Sequence, residues 1–258
     1  MRLYIRFLSI HLKSQMQYKL SFFLTMAGWI MMSFLELLSV TFVFARFHSV
    51  AGFSLREVLL CFATMMMAFN LAELLGRGFD VFARMLGNGE FDRVLVRPRR
   101  ATFLVLASQI EFARIGRLLQ GIAVFIYVIP RSEVVWTADK ILTLILMIVG
   151  GTLVFFCLFL IYAAYTFFTT EGLEVLNIFI YGGREFGQYP FAIYGKEVLR
   201  IATFLIPMAL FQYYPLLYLL GRETSIWYAL APLGSLLFAV PAFALWSLGL
   251  RHYKSTGS

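Results

Sequence analysis

Residues 87–100 read GNGEFDRVLVRPRR, a charged stretch that separates two long apolar parts of the chain. The glycines at its start and the proline near its end disfavour a continuous helix, which leaves room for about two helical turns between them. Within these turns Phe91, Val94 and Leu95 fall on one face at helical spacing, and the residues between them are polar. The stretch therefore predicts a short amphipathic helix at the edge of a membrane.

The rest of the chain is far more apolar than a soluble domain. Hydrophobic residues make up 61% of the 258 positions, against roughly 45–50% in soluble proteins, and the mean hydropathy is +0.81. This composition predicts an all-α polytopic membrane protein. Since a bilayer span needs about 20 apolar residues, we predict six transmembrane helices, at about 20–44, 57–76, 106–129, 141–167, 199–220 and 226–250.

The basic residues are distributed unevenly between the two sides of the predicted membrane. With six spans, 17 of the 22 Lys and Arg residues lie on the same side of the membrane as the N-terminus, and five lie on the opposite side. Because cytoplasmic loops are enriched in Lys and Arg, both termini are predicted to be cytoplasmic. This distribution also explains the net charge of +8 without nucleic-acid binding, for which the chain has no basic patch in a suitable fold.

We expect residues 1–258 to form a single transmembrane domain. Three parts of it are predicted to lie outside the spans: an interfacial amphipathic helix at 1–19, a cytoplasmic loop at 77–100 and a cytoplasmic-side connecting segment at 168–198.

Motifs for catalysis are absent from the sequence. There is no GxxxxGK followed by Ser or Thr, no HExxH and no GxSxG, and the three histidines are isolated. We therefore predict no catalytic residue, no metal site and no cofactor bound by this chain itself.

Glu36 is predicted to lie well inside the first span. An unpaired carboxylate at that depth costs at least a few kcal/mol, so Glu36 must face protein or water. Glu111, Arg114 and Arg117 at the inner part of the third span are candidate neighbours, although Glu111 and Arg114 can also pair with each other. The sequence leaves open a structural role for Glu36 and a place in a translocation pathway.

Two further groups of residues carry alternative interpretations. Glu73, Arg77, Asp80 and Arg84 form one stripe at helical spacing, which is typical of a solvated helix face or of the inner mouth of a pathway. Tyr213 and Tyr214 are typical of an interfacial aromatic belt or of an outer exit that binds a solute by stacking. The prolines at 207 and 215 predict a kink or a break in the fifth span.

Three stretches, together with the order of the spans, resemble a known family. They are GRGFDVFARMLGNGEFDRVLVRPRR at 76–100, QYPFAIYGKEVLRIATFLIPMALFQYYPLLYLLG at 188–221 and GLRHYKSTGS at 249–258. They look like the membrane subunits of bacterial type-2 ABC exporters, specifically the six-span permeases whose loop carries a G-x-x-D-x-x-L-x-R-P pattern. The pattern is met here by Gly89, Asp92, Leu95, Arg97 and Pro98.

The resemblance implies a partner for the loop. It implies that two permease subunits, identical or related, pair in the bacterial plasma (inner) membrane and that each is served by a separate ATP-binding subunit, which binds ATP and Mg. The loop between spans two and three would be the coupling helix, with the contact residues Gly89, Glu90, Phe91, Asp92, Arg93, Leu95, Arg97 and Pro98.

The residues themselves fit this role. Phe91, Val94 and Leu95 can enter an apolar groove on a partner, while Asp92, Arg93 and Arg97 can fix the register through charge-assisted hydrogen bonds. The alternative is an interfacial helix that rests on lipid headgroups.

The function that follows is export of a hydrophobic, amphipathic or cationic small molecule, driven by a separate ATPase. A cationic solute is included because Glu36 and Glu73 are acids on the first two spans and 17% of the chain is aromatic. The alternatives are an ABC exporter of a lipid or lipid-linked glycan, an ion-coupled secondary transporter that uses Glu36 and Glu73, and a membrane scaffold without transport.

Overall fold

The computed structural model of the protein describes residues 2–169 and 174–253. The first residue of the predicted interfacial helix, residues 170–173 of the predicted connecting segment and residues 254–258 of the terminal stretch lie outside this part. The described part consists of helices and their connections, apart from an isolated bridge between Val50 and Phe53. The predicted all-α class is therefore confirmed.

Up to residue 169, the described chain forms eight α-helices. In chain order they are α1 (Arg2–Gln17), α2 (Lys19–Arg46), α3 (Leu55–Asp80), α4 (Phe82–Gly87), α5 (Glu90–Leu95), α6 (Ala101–Leu106), α7 (Ile115–Val128) and α8 (Ala138–Thr169).

From residue 174 onward, most of the helices are short. In chain order they are α9 (Glu174–Asn177), α10 (Gly183–Phe186), α11 (Lys196–Arg200), α12 (Met208–Phe211), α13 (Tyr213–Leu219), α14 (Ile226–Leu230) and α15 (Ser235–His252). Wider π-type turns at Ile178–Gly182 and Ile201–Leu205 join α9 to α10 and extend α11.

Five helical stretches of the described residues are long and apolar enough to cross a membrane. They are Lys19–Arg46, Leu55–Gly87, Phe112–Arg131, Ala138–Thr169 and Ile226–His252. A sixth crossing is present if Lys196–Leu205 and Met208–Leu219, which meet at 90°, count as one bent span. The second span continues about ten residues past its predicted end, because α3 is followed by α4 with only one residue between them.

The bend in the fifth predicted span lies at Pro207, as the sequence predicts. Proline has no N–H to continue the hydrogen-bond ladder, and the preceding Ile206 is extended, at φ −127° and ψ 102°. Pro215 causes no bend, because it lies in the first turn of α13, where the N–H groups have no partner within the helix.

The third predicted span starts later than the sequence predicts, because residues 107–111 are not helical. Side chains of α1 satisfy the backbone groups that this break exposes. Gln15 donates to the carbonyl of Ile110 and accepts from the N–H of Phe112, and His11 donates to the carbonyl of Ala107 at 2.9 Å. A buried backbone group without a partner is costly, so these contacts position α1 against the break.

The connecting segment after α8 lies deeper in the helix bundle than the sequence predicts. Tyr181 donates to Asp80 near the end of α3, and Gly187 packs against Met65 near its middle. Gln212 then donates to the carbonyl of Gly187 at 3.1 Å. Residues 181–187 therefore lie along α3 and reach its middle.

Both described ends of the chain lie at the same end of the bundle as α5. Phe7 of α1 packs edge-to-face on Phe103 of α6, which contacts α5. Tyr253, which follows α15, donates to Asp92 of α5 at 3.0 Å. An even number of membrane crossings is consistent with this arrangement.

Gly78 gives a prediction about packing. A Cβ at this position would lie 1.9 Å from the carbonyl oxygen of Val105, and a backbone oxygen cannot move aside. We expect Gly78→Ala to lower the free energy of unfolding by about 1–3 kcal/mol, measured by thermal unfolding of the purified protein in detergent. The control is Gly28→Ala, where no atom lies within 4 Å of the added Cβ and the helix gains up to about 1 kcal/mol. Equal stability of the two variants would contradict the close approach of α3 and α6.

Candidate functional site

The α5 helix occupies the interval that the sequence predicts. Gly89 precedes it in a left-handed conformation, at φ 67°, which a residue with a Cβ rarely adopts. Glu90 and Asp92 lie in its first turn, where negative charge complements the helix dipole. The chain leaves the helix through Arg97 and Pro98, both of which are exposed.

Phe91 and Val94, two of the three residues of the predicted apolar face of α5, are buried in the chain's own core. Phe91 is fully buried and makes edge-to-face contacts with Phe82, Phe167 and Tyr253, at ring-centroid distances of 5.0, 5.5 and 5.1 Å. The prediction that Phe91 enters a groove on a partner is therefore wrong for this conformation. The sequence shows an apolar face at helical spacing but not which molecule covers it, and here α4, α8 and Tyr253 cover Phe91.

Other side chains of α5 and the loop after it point outward. Leu95 is 46% exposed, and Val96, which directly follows the helix, is 84% exposed. Arg93 and Arg97 are exposed beside them, and so is Glu90. This outer surface, defined by these five residues, is apolar at its centre and charged at its edge.

Asp92 has a contact within the chain. Its carboxylate accepts the hydroxyl hydrogen of Tyr253 at 3.0 Å, so it connects α5 to the residue that follows α15. Asp92 therefore helps to position α5, in addition to any contact with a partner.

A network of buried ion pairs lies among the spans. Glu73 is fully buried and pairs with Arg114 of the third span and, at 3.6 Å, with Arg77. Arg77 also pairs with Asp80 and, at 3.5 Å, with Glu111. The interpretation of this stripe as a solvated helix face is wrong, because the residues before α7 cover it.

Arg84, the fourth member of the predicted stripe, lies apart from the network. It is exposed and donates to Gln109 at 3.2 Å. The predicted alternative pairing of Glu111 with Arg114 is present at 3.1 Å, in addition to the contacts of both residues with α3.

Glu36 lies in a second group of ion pairs. The same carboxylate oxygen accepts from Arg117 at 3.1 Å and from Arg184 at 2.8 Å. The pairing with Arg117 confirms a neighbour predicted from the sequence. The contact with Arg184 joins the first span to the segment that follows α8, and Arg184 pairs in addition with Glu185.

Aromatic rings lie against the arginines of both groups. The guanidinium carbons of Arg114 and Arg117 are 4.4 and 4.8 Å from the ring centroid of Trp29, so this one indole contacts both groups. Arg184 lies 5.2 Å from the ring centroid of Phe69. Such cation–π contacts stabilise a guanidinium that is removed from water.

Tyr181 completes the network at the end that lies nearest to α4. Its hydroxyl is 3.2 Å from both carboxylate oxygens of Asp80. Burial, together with the charge of Asp80, raises the pKa of Tyr181 above its ordinary value, so the hydroxyl keeps its proton and donates.

A small cavity lined by both polar and apolar side chains lies beside Glu36. The space open to the centre of a water molecule is about 10 Å³, enough for about one water. Ser33 and Asn70 line it, and their side-chain oxygens are buried without a hydrogen-bond partner. Arg117, Arg184 and Gln188 are among the other lining residues.

Tyr213 and Tyr214 belong to a separate aromatic cluster. Their rings are 5.5 Å apart, and Tyr214 is 5.7 Å from the ring of Tyr228. The Tyr214 hydroxyl is also 3.1 Å from that of Thr203 across the bend. The cluster joins the bent pair of helices to α14, whereas Glu36 and Glu73 lie on α2 and α3.

Four of the residues that shape these sites were not assigned such a role from the sequence. Arg184 and Tyr181 gave no signal, because their partners are 148 and 101 positions away. A tryptophan in a membrane protein indicates in general a position near the membrane interface, and it does not predict a cation–π contact. Val96 directly follows Leu95, the last residue of the predicted apolar face. An apolar residue at this place, beyond the predicted helix, is a signal that the sequence does contain.

The arrangement defines a class of protein. Apolar helices enclose a buried charged network, and a short helix at one end presents an outer surface, which is the architecture of a membrane transport subunit. The model of the ABC-2 family of transporter proteins matches residues 30–257, so the chain belongs to that family. No curated protein and no solved structure matches the chain.

Arg114 gives a prediction about the network. Arg114→Leu leaves the Glu73 carboxylate buried without its closest cation, and we expect a loss of about 3–5 kcal/mol in the free energy of unfolding. Adding Glu73→Gln removes the uncompensated charge and should restore most of this loss, as measured by thermal unfolding of both variants. Arg200→Leu is the control, because the Arg200–Glu197 pair is exposed and contributes at most about 1 kcal/mol. Equal losses in the single and double variants would contradict the role of the Glu73 charge.

Proposed function

We propose that the chain is the permease subunit of an ATP-driven exporter and that α5 is its coupling helix. Membership of the ABC-2 family implies association with an ABC ATP-binding subunit. Export as the direction, two ATP-binding subunits and a second permease subunit, identical or related, are the further parts of the proposal. ATP and Mg are bound by the partner, and this chain contributes no catalytic residue.

The geometry of α5 carries this proposal. The outer surface with Leu95 and Val96 is available to a partner, while Phe91 on the opposite face is fixed among rings of α4 and α8. A displacement of α5 by a partner therefore moves the ends of the second and fourth spans with it. This is the mechanical property that a coupling helix requires.

The proposed orientation places α5 and both termini in the cytoplasm of a bacterial cell. The distribution of Lys and Arg supports it, and so does the position of α1 and Tyr253 at the same end of the bundle as α5. Exposed Ile5, Ile10 and Leu12 on α1 support contact of this helix with membrane lipid.

The proposed substrate is a hydrophobic or amphipathic molecule. An open groove of about 610 Å³ between α3, α6 and α8 is lined almost entirely by apolar side chains such as Leu71, Leu75 and Phe156. The cationic substrate predicted from Glu36 and Glu73 loses its basis, because both carboxylates are paired with arginines. The same pairing weakens the alternative of an ion-coupled secondary transporter, whereas a lipid or a lipid-linked glycan fits the groove.

The test of this function is a change on the outer surface of α5. We expect Leu95→Ser combined with Val96→Ser to reduce the amount of ATP-binding subunit that co-purifies with the permease at least several-fold, because the apolar centre of the contact is lost. Thermal stability of the permease itself should change by less than about 0.5 kcal/mol, since both side chains are exposed.

Two further variants make the test specific. Val135→Ser removes an exposed apolar side chain outside α5 and should leave co-purification unchanged. Phe91→Ala should instead destabilise the permease by about 3–5 kcal/mol, because it opens a cavity in the aromatic core. Unchanged co-purification in the Leu95–Val96 variant, or an active transporter without any ATP-binding chain, would reject the proposal.

A further inference from the structure

The carboxylate of Glu36 occupies a position surrounded by hydrogen-bond donors. Arg117 and Arg184 donate to the same carboxylate oxygen from two different segments, the third span and the segment after α8. Both guanidinium groups are largely buried, with side-chain exposures of 4% and 16%. Two arginines that converge on one oxygen atom form the arrangement that proteins use to bind phosphate and carboxylate groups.

Two buried polar atoms lie beside this position and make no hydrogen bond to Glu36 or to any other described residue. The hydroxyl oxygen of Ser33 and the amide oxygen of Asn70 line the cavity next to Glu36, are buried, and have no hydrogen-bond partner. Asn70 donates through its amide nitrogen to the carbonyl of Met66, so its oxygen remains an acceptor. A phosphate monoester with one proton has oxygen acceptors for the arginines and a P–OH donor for Asn70.

The local charge favours an anion if Glu36 leaves. Arg117 and Arg184 are balanced by Glu36 and by Glu185, which pairs with Arg184. Without the Glu36 carboxylate one positive charge has no partner, and such a buried charge is costly. A singly charged anion restores the balance.

Glu36 lies on a helix that has few constraints within the chain. Only 17% of the most apolar part of α2 is buried, compared with 78% for the second span. A displacement of α2 separates Glu36 from the arginines, and within the core it affects the contacts of Val40 and Phe44. The cavity, which holds about one water in this conformation, then widens to admit a larger group.

We propose that Arg117 and Arg184, with Asn70, bind the phosphate headgroup of an amphiphilic substrate, and that the Glu36 carboxylate occupies this site when the substrate is absent. The inference rests on the proposed function, since it names the substrate class of the exporter. The apolar part of the substrate remains in contact with apolar side chains or lipid. Glu36 acts as an internal competitor for the two arginines.

The experiment measures binding to the permease–ATPase complex in lipid nanodiscs without nucleotide. Trp29 contacts Arg117, so its fluorescence reports on the site, and the part of the signal that is lost in Trp29→Phe is assigned to it. Dodecyl phosphate is compared with dodecyltrimethylammonium, which has the same chain and the opposite charge, and with inorganic phosphate. We expect saturable binding of dodecyl phosphate only; saturation by inorganic phosphate at the same concentration would show a free-anion site and overturn the amphiphile assignment.

Variants at the site give opposite expected effects. Glu36→Gln removes the competing charge and should tighten dodecyl phosphate binding about tenfold. Arg184→Lys keeps the charge but loses the planar guanidinium, and should weaken binding several-fold. The control is Glu197→Gln, which changes the exposed pair with Arg200 and should leave binding unchanged.

The outcomes separate this inference from the proposed function. If Glu36 is only structural, Glu36→Gln lowers the melting temperature and does not tighten dodecyl phosphate binding, and the inference is overturned. Stronger binding of dodecyltrimethylammonium than of dodecyl phosphate overturns it as well. ATP hydrolysis is measured separately by ADP release: a complex that binds dodecyl phosphate as expected but hydrolyses no ATP contradicts the exporter and not the anion site.

Discussion

Pairing of the charges that lie among the spans is the constraint on which the rest of this structure depends. A carboxylate or a guanidinium without a partner in hydrocarbon costs several kcal/mol, and removing one member of a buried pair costs about as much. Glu73 must therefore meet Arg114, and Glu36 must meet Arg117 and Arg184. These contacts bring together α2, α3, the third span and the segment after α8, and they explain why that segment lies along α3.

The same charged network joins parts of the helix bundle that are buried to different extents. The second and fourth spans are held by aromatic and aliphatic packing, whereas few residues of α2 are buried, and the Glu36 pairs join α2 to the third span and to the segment after α8. Ion pairs of this kind can be exchanged for others of equal charge, but a close-packed core cannot be deformed gradually. Under the proposed function, a push on α5 moves α4 and α8, to which Phe91 attaches it, relative to α2 and so alters the contacts of Glu36.

Whether a site in the membrane prefers an anion or a cation depends on how its charged residues are paired, and not on how many acidic residues the spans contain. Acidic residues on the first two spans favour a cationic substrate when the sequence is considered alone. In the structure each of these acids already has an arginine partner, and the polar atoms that remain unpartnered beside Glu36 belong to Ser33 and Asn70. The site therefore favours an anion only when Glu36 leaves the two arginines, and the amide oxygen of Asn70 then accepts a hydrogen bond from it.

The sequence by itself determined the features that follow from local rules. The helical class, the approximate spans, the start of α5 after Gly89 and the bend at Pro207 result from apolar length, from glycine and from proline. Only the tertiary structure decided that Phe91 faces inward while Leu95 and Val96 face outward, and that Arg184 reaches Glu36. The physical reason is that an apolar face has the same periodicity whether its own chain or a partner covers it, and that a pair 148 residues apart leaves no local pattern.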